Sequence, residues 1–251
     1  KDGKPMALTS LNKSDEAPFQ YGHLSLKDIL AVRDKRLAQT IDTVLLYNGR
    51  GFTRFNTGME STSSTGYGVA KYDNEAIPEG FRSQSGKNYT HAPLFWLSVI
   101  YLNYAEACAE LGNITQDDLD KSINLLKDRA GLPHLSPIVG FSDPANNHGV
   151  SDLIWEIRRE RRCELMFDND NRYWDLIRWH QLDKLDTTKY PDIILGANVA
   201  NDMDGCEANK VGKYIDGSKD GSRIYDKKHY LYPIPTGQIA LNPQLAPNNP
   251  G

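Results

Sequence analysis

Asp152-Leu-Ile-Trp-Glu-Ile-Arg-Arg-Glu-Arg-Arg-Cys-Glu-Leu-Met-Phe167, followed by Arg172-Tyr-Trp-Asp-Leu-Ile-Arg-Trp179, decides how this chain is read. Four arginines (Arg158, Arg159, Arg161, Arg162) and three glutamates (Glu156, Glu160, Glu164) share the first run with Leu153, Ile154, Ile157, Leu165 and Phe167. At helical pitch that many charges cannot all avoid the apolar face. A buried arginine requires a carboxylate partner. The second run supplies Asp175 between Trp174 and Trp179. The two segments therefore read as packed helices tied by an internal ion-pair network of Glu160, Arg161, Arg162, Glu164, Arg172, Asp175 and Arg178. Glu160 and Glu164, or their neighbours Arg161 and Arg162, are expected to be buried against the second helix. Such a network is a scaffold feature; catalysis is the weaker use for it.

Outward from this core the chain organises into helices and long loops. Ser25 to Ile41 has the apolar spacing of a helix, and Ile41 to Tyr47 reads as a strand. Pro93 to Leu111 is a helix with Leu97, Tyr101, Tyr104, Cys108 and Leu111 on one stripe, and alanines 105, 107 and 109 permit close approach of a neighbour. Thr115 with Asp118 forms a capping box for a second helix that Gly131 and Pro133 end, so residues 93–133 make a helical hairpin. Ser151 caps the signature helix, residues 168–171 turn, and Arg172 to Leu185 is the next helix. Beyond Pro191 periodicity fades and residues 186–251 read as irregular, with Thr236 capping one last turn. The whole is expected to be mainly α and a single domain over residues 1–251: a helix plus a loop-rich segment (1–92), the hairpin, the signature helices (151–185) and the irregular C-terminal segment.

A length of 251 residues with 39% hydrophobic and 25% charged residues suits one folded domain. The net charge of -4 argues against a nucleic-acid partner. No window approaches the eighteen apolar residues of a membrane span. Three cysteines lack any metal-ligand spacing, and Cys108 and Cys163 read as small buried thiols, with Cys206 in a polar loop. Asp202 and Asp204 before Gly205 faintly match a calcium loop, but Ala200 and Val211 stand where its first and last ligands belong. Neither a metal nor a cofactor is expected. A glycosidase needs two carboxylates across a cleft with one kept protonated. Glu160 and Glu164 lie one turn apart among arginines that favour their ionised forms, so no catalytic residue is named.

The loop from Asn48 to Thr90 carries the binding candidates. It is rich in Gly, Ser, Thr and Asn yet holds seven aromatics if Tyr47 is counted, too many for a disordered linker. A sugar presents C–H faces and hydroxyl edges, so its site calls for aromatic platforms beside hydrogen-bonding groups. Phe52, Arg54, Phe55 and Tyr67 supply that mixture; packing of the loop onto itself is the bland alternative.

The motifs I-R-R-E-R-R-x-E-L-x-F (157–167) and R-Y-W-D-L-x-R-W (172–179) also resemble the signature of the SusD/RagB family. Arg33 to Thr40, Tyr101-Leu-Asn-Tyr-Ala-Glu-Ala107, and Tyr230-Leu-Tyr-Pro-Ile-Pro235 with Asn242-Pro243 and Asn249-Pro-Gly251 match its other motifs in order. The resemblance implies a SusD-like α-helical fold with a tetratricopeptide-type hairpin and long irregular loops, here as the C-terminal part of such a protein. It also implies non-catalytic capture of an oligosaccharide or polysaccharide, handed to a SusC-like TonB-dependent transporter. The location implied is the outer membrane, surface-exposed and lipid-anchored, with signal and anchor not in this chain. The alternative is a peptide- or protein-binding helical scaffold of the same uptake type. An enzyme acting on glycans ranks below both.

Overall fold

A computed structural model describes residues 2–5, 7–9, 33–42, 65–69, 71, 74, 76–78, 81, 84–168, 171–198, 210–218 and 221–248. Helices dominate it. In chain order they are α1 (Lys35–Thr40), α2 (Leu97–Glu110), α3 (Gln116–Asp120), α4 (Ile123–Ala130), α5 (Asp152–Glu164), α6 (Asn171–Arg178) and α7 (Thr236–Leu241). Two small sheets accompany them. Strand β1 (Ile41–Asp42) pairs antiparallel with β2 (Gly68–Val69). Strands β3 (Leu195–Asn198), β4 (Lys210–Val211) and β5 (Tyr214–Asp216) form a second antiparallel sheet with β5 in the middle.

The helix boundaries follow local chemistry. The Ser151 hydroxyl accepts the backbone N–H of Ile154 at 3.3 Å, satisfying one of the donors that a helix start leaves open. Thr115 and Asp118 form a reciprocal capping box, the Asp118 carboxylate accepting the Thr115 N–H at 2.9 Å. The single helix expected after Thr115 is broken at Lys121–Ser122, where the buried Ser122 hydroxyl donates to the Asp118 carbonyl at 2.5 Å. That side-chain bond competes with continued helix. Gly131, at φ 65°, ends α4 in the left-handed conformation.

The core lies where the α2–α4 hairpin meets α5: Leu102, Ala105, Leu119, Ile123, Leu126, Leu135, Ile157 and Leu165 form one cluster. Asn124, fully buried, pins the return loop through paired bonds with the Leu135 backbone at 2.7 and 3.0 Å. The stripe read from the sequence of α2 is not its buried face. Leu97, Tyr104 and Leu111 are exposed, whereas Leu102, Ala105 and Glu106 are buried. Ala105 admits the α5 backbone, and Glu106 must face inward to meet its arginines, so the charge partners set the rotation of the helix.

The C-terminal half departs from expectation in three places. The helix expected through Leu185 ends at Arg178; the chain turns at His180, φ 52°, and only a 3-10 turn (Leu182–Leu185) follows. The segment read as irregular holds the β3–β5 sheet, in which Gly212, φ 58°, lies between β4 and β5. Thr236 is the first residue of α7 and no side chain caps it. Cys108 and Cys163 are half-buried. Residues 10–32 and 43–64 lie outside the described residues, and with them most of the expected first helix and strand.

Candidate functional site

Charge on α5 resolves into two clusters. In the first, the carboxylates belong to α5: the Arg36 guanidinium of α1 donates to Glu160 at 2.5 Å and to Glu164 at 2.8 Å, while holding Asp34 at 2.5 Å. Lys127 stands 3.6 Å from Glu160, and Arg129 pairs with Glu164. Burial alone would strip charge from Arg36, but its hydrogen bonds to the Asp34 carboxylate and the negative charge of Glu160 outweigh it and hold the guanidinium protonated. In the second cluster the arginines belong to α5. Arg161 meets Asp175 at 2.7 Å and Arg158 meets Glu106 at 3.2 Å. Arg178 bridges the two carboxylates, at 2.8 Å from Asp175 and 2.5 Å from Glu106. Trp179 donates to Glu106 at 2.6 Å, with the guanidinium carbons of Arg158 and Arg178 at 4.6 and 4.5 Å from its ring centre.

This arrangement corrects part of the network read from sequence. Glu160 and Glu164 face α1 and α4; Arg161 alone of the four residues named for that packing reaches α6. Arg162 is exposed, and among the described residues neither it nor Arg172 is ion-paired. At that helical position Arg162 points away from both clusters. Burial and the nearby Arg162 charge lower the Arg172 pKa to about 10. Arg36 was not singled out in the sequence, although it stands within the Arg33–Thr40 motif.

Of the four binding candidates, Phe52, Arg54 and Phe55 lie outside the described residues. Tyr67 immediately precedes β2 and keeps 38% exposure. Crowding by protein, with the phenol of Tyr214 close by, raises its pKa. The backbone beside it is keyed to the C-terminal sheet: a Cβ at Gly196 would fall 2.5 Å from the Thr65 carbonyl oxygen, and one at Gly217 would meet the Thr65 methyl at 3.3 Å. Those two glycines were read in the sequence only as fading periodicity. Their use is to let residues 65–67 lie flat on β3 and β5.

Other exposed aromatics escaped the sequence reading. Trp174 is exposed and packs edge-on against Tyr173, ring centres 5.6 Å apart, and the Tyr173 and Tyr232 hydroxyls are hydrogen-bonded at 2.8 Å. Among the described residues, no group of His, Cys, Asp and Glu is placed to hold a metal ion, and no helix is long and apolar enough to cross a membrane. The weak calcium-loop motif, Asp202 to Gly205, and Cys206 lie outside the described residues.

Comparison with known proteins places this architecture. The solved structure BT4246 superposes with a TM-score of 0.52 at 26% identity, over 82% of this chain and 30% of that one. A second, a SusD-like protein (BF3747) from Bacteroides fragilis NCTC 9343, aligns at 25% identity and a TM-score of 0.42, over 75% of this chain and 31% of that one. The chain thus spans about a third of the length of the solved proteins it matches. No curated protein matches it. The SusD family model matches residues 22–251, and with motifs, helices and fold in agreement the chain belongs to the SusD family.

Proposed function

We propose that this chain belongs to a non-catalytic receptor that captures an oligosaccharide or polysaccharide at the cell surface and delivers it to a SusC-like TonB-dependent transporter, held at the outer membrane by a lipid anchor. The observation that carries the reading is the family match over residues 22–251; SusD-like proteins generally bind nutrients in connection with outer-membrane uptake and are generally not catalysts. The site chemistry agrees. The clustered carboxylates Glu160 and Glu164 are each gripped by cations in ion pairs, which ties them into the scaffold. Phe52, Arg54, Phe55 and Tyr67 remain the proposed ligand contacts, working by stacking and hydrogen bonds without a cofactor.

A glycan-array screen followed by calorimetry and thermal melts on Phe52→Ala, Phe55→Ala and Tyr67→Ala tests the reading. A stacking platform loses about 0.5–1.5 kcal/mol of binding while the melting temperature holds; a packed Phe instead costs about 3–5 kcal/mol of stability. A chain that binds peptides and no glycan turns the reading toward peptide uptake. Release of reducing sugar, abolished by one carboxylate substitution, turns it toward an enzyme.

A further inference from the structure

Between the segment 2–4, the loop that follows α4 and the first half of α5 lies a pocket of about 330 Å³. Two ionised side chains that are nearly buried line it: Lys127 from α4 and Glu156 from α5. The Lys127 side chain keeps only 5% exposure, and Glu160, at 3.6 Å, is too far for a hydrogen bond. Glu160 is moreover already engaged by Arg36 at 2.5 Å. Among the described residues, then, an ammonium with three N–H donors makes no hydrogen bond to protein, which leaves its donors available to a ligand. Glu156 is differently placed. Arg159 grips both of its oxygens, at 2.9 and 3.0 Å, and also donates to the Gly3 carbonyl, which fixes one wall of the pocket. Oε2 accepts from both Nε and Nη2 of Arg159, whereas Oε1 accepts from Nε alone and retains a lone pair for a further donor.

The lining charges cancel, Asp2 and Glu156 against Lys4 and Lys127, so the pocket has no net pull on an ion. Its chemistry is an open donor, an acceptor and an apolar wall of Leu135, Val139 and Phe141. A vicinal diol meets all three demands at once. One hydroxyl oxygen accepts from the Lys127 ammonium, its neighbour's O–H donates to Glu156, and the C–H face of the ring covers the apolar wall. The volume lies at the small end of ligand pockets, which run from about 300 to 1,000 Å³, and suits one ring better than a chain.

We propose that this pocket is a binding site for a single neutral sugar unit, recognised through its vicinal hydroxyls by Lys127 and Glu156. The proposal rests on the saccharide reading above and adds a location separate from residues 52–67. Because the lining charges cancel, a uronate gains nothing from its carboxylate over the neutral parent sugar.

The test is calorimetry with neutral monosaccharides, their disaccharides and the matching uronic acids on the wild-type chain, Lys127→Met and Ile138→Trp. Lys127→Met keeps the aliphatic stem and leaves Glu160 paired with Arg36. Ile138, 84% exposed on the pocket lining, can be enlarged without touching the core, so this second variant decides the matter even if the first folds poorly. Expected is a fall of about tenfold or more in neutral-sugar affinity in each variant, with the Ile138→Trp melting temperature unmoved. Wild-type sugar binding that persists undiminished in both overturns the pocket and leaves saccharide capture standing. Tighter binding of uronates than of the neutral parents overturns the neutral specificity. A wild-type chain that ignores every glycan yet binds peptides removes the saccharide reading, and the pocket assignment with it.

Discussion

The two charge clusters along α5 are mirror images in polarity and unequal in redundancy. Around Arg36 the helix supplies carboxylates and distant segments supply cations; around Arg158 and Arg161 it supplies cations and its neighbours supply carboxylates. In the second cluster Glu106 and Asp175 each meet two arginines within 3.2 Å, and Arg178, 42% exposed, is shared between both; in the first the second cation is Lys127, at 3.6 Å from Glu160, or the exposed Arg129 on Glu164. The first has one residue at its centre. Arg36 alone joins Asp34, Glu160 and Glu164, and no second arginine duplicates that bridge among the described residues. A buried network is therefore as fragile as its least replaceable member, whatever the number of its contacts.

The largest expected effect breaks that contrast at its centre. Arg36→Ala leaves buried Glu160 with only Lys127 at 3.6 Å and buried Glu164 with only the exposed Arg129, and should cost about 3–5 kcal/mol in urea unfolding; a loss no larger than that of a surface arginine would dissolve the distinction between the clusters. Glu164→Ala should cost less, about 1–3 kcal/mol. Its partner Arg129 is 62% exposed and turns to water, while Arg36 keeps Asp34 and Glu160.

Acid should sharpen the comparison from the other side. Burial would raise the Asp34 pKa, but the hydrogen bonds and charge of Arg36 outweigh it and hold the carboxyl below its ordinary 3.8. A depressed folded-state value stabilises above pH 3.8, and the benefit is lost as pH falls through the lower folded value. Melting curves of Asp34→Asn should accordingly lack that stretch of the wild-type decline below pH 3.8. The smallest effect belongs to Arg162: exposed and unpaired among the described residues, its replacement by Ala should stay within about 0.5 kcal/mol of wild type. A larger cost would mean that it joins a network after all.

Features governed by three or four neighbouring residues were readable in advance. The caps at Ser151 and Thr115 and the stop at Gly131 depend on side chains and backbone within one turn, and their residue types announce them. The partners of Glu160 and Glu164 were not readable, because charge requires a partner without saying which one. The face of α2 was misread for a related reason: a count of apolar residues ranks Tyr104 and Leu111 above Glu106, yet Glu106 is buried by its arginines and tryptophan. For the candidate site, Tyr67 stood out as an aromatic in a glycine-rich loop. The surface it rests on did not, since Gly196 and Gly217 act by what they lack. Lys127 had no local signal at all; its open ammonium exists only once α4, α5 and residues 2–4 are assembled.

The Arg36 bridge also has a place in time. Its bond to Glu160 joins residues 124 positions apart, whereas the Arg161–Asp175 bond spans 14. The entropic cost of bringing two points of a chain together rises with the logarithm of their separation, so a contact of short span can form early and the bridge waits until most of the intervening chain has folded. What closes last contributes little to the barrier for folding and much to the barrier against opening. In kinetic terms, Arg36 is a latch: its loss accelerates unfolding and leaves the folding rate nearly as it was.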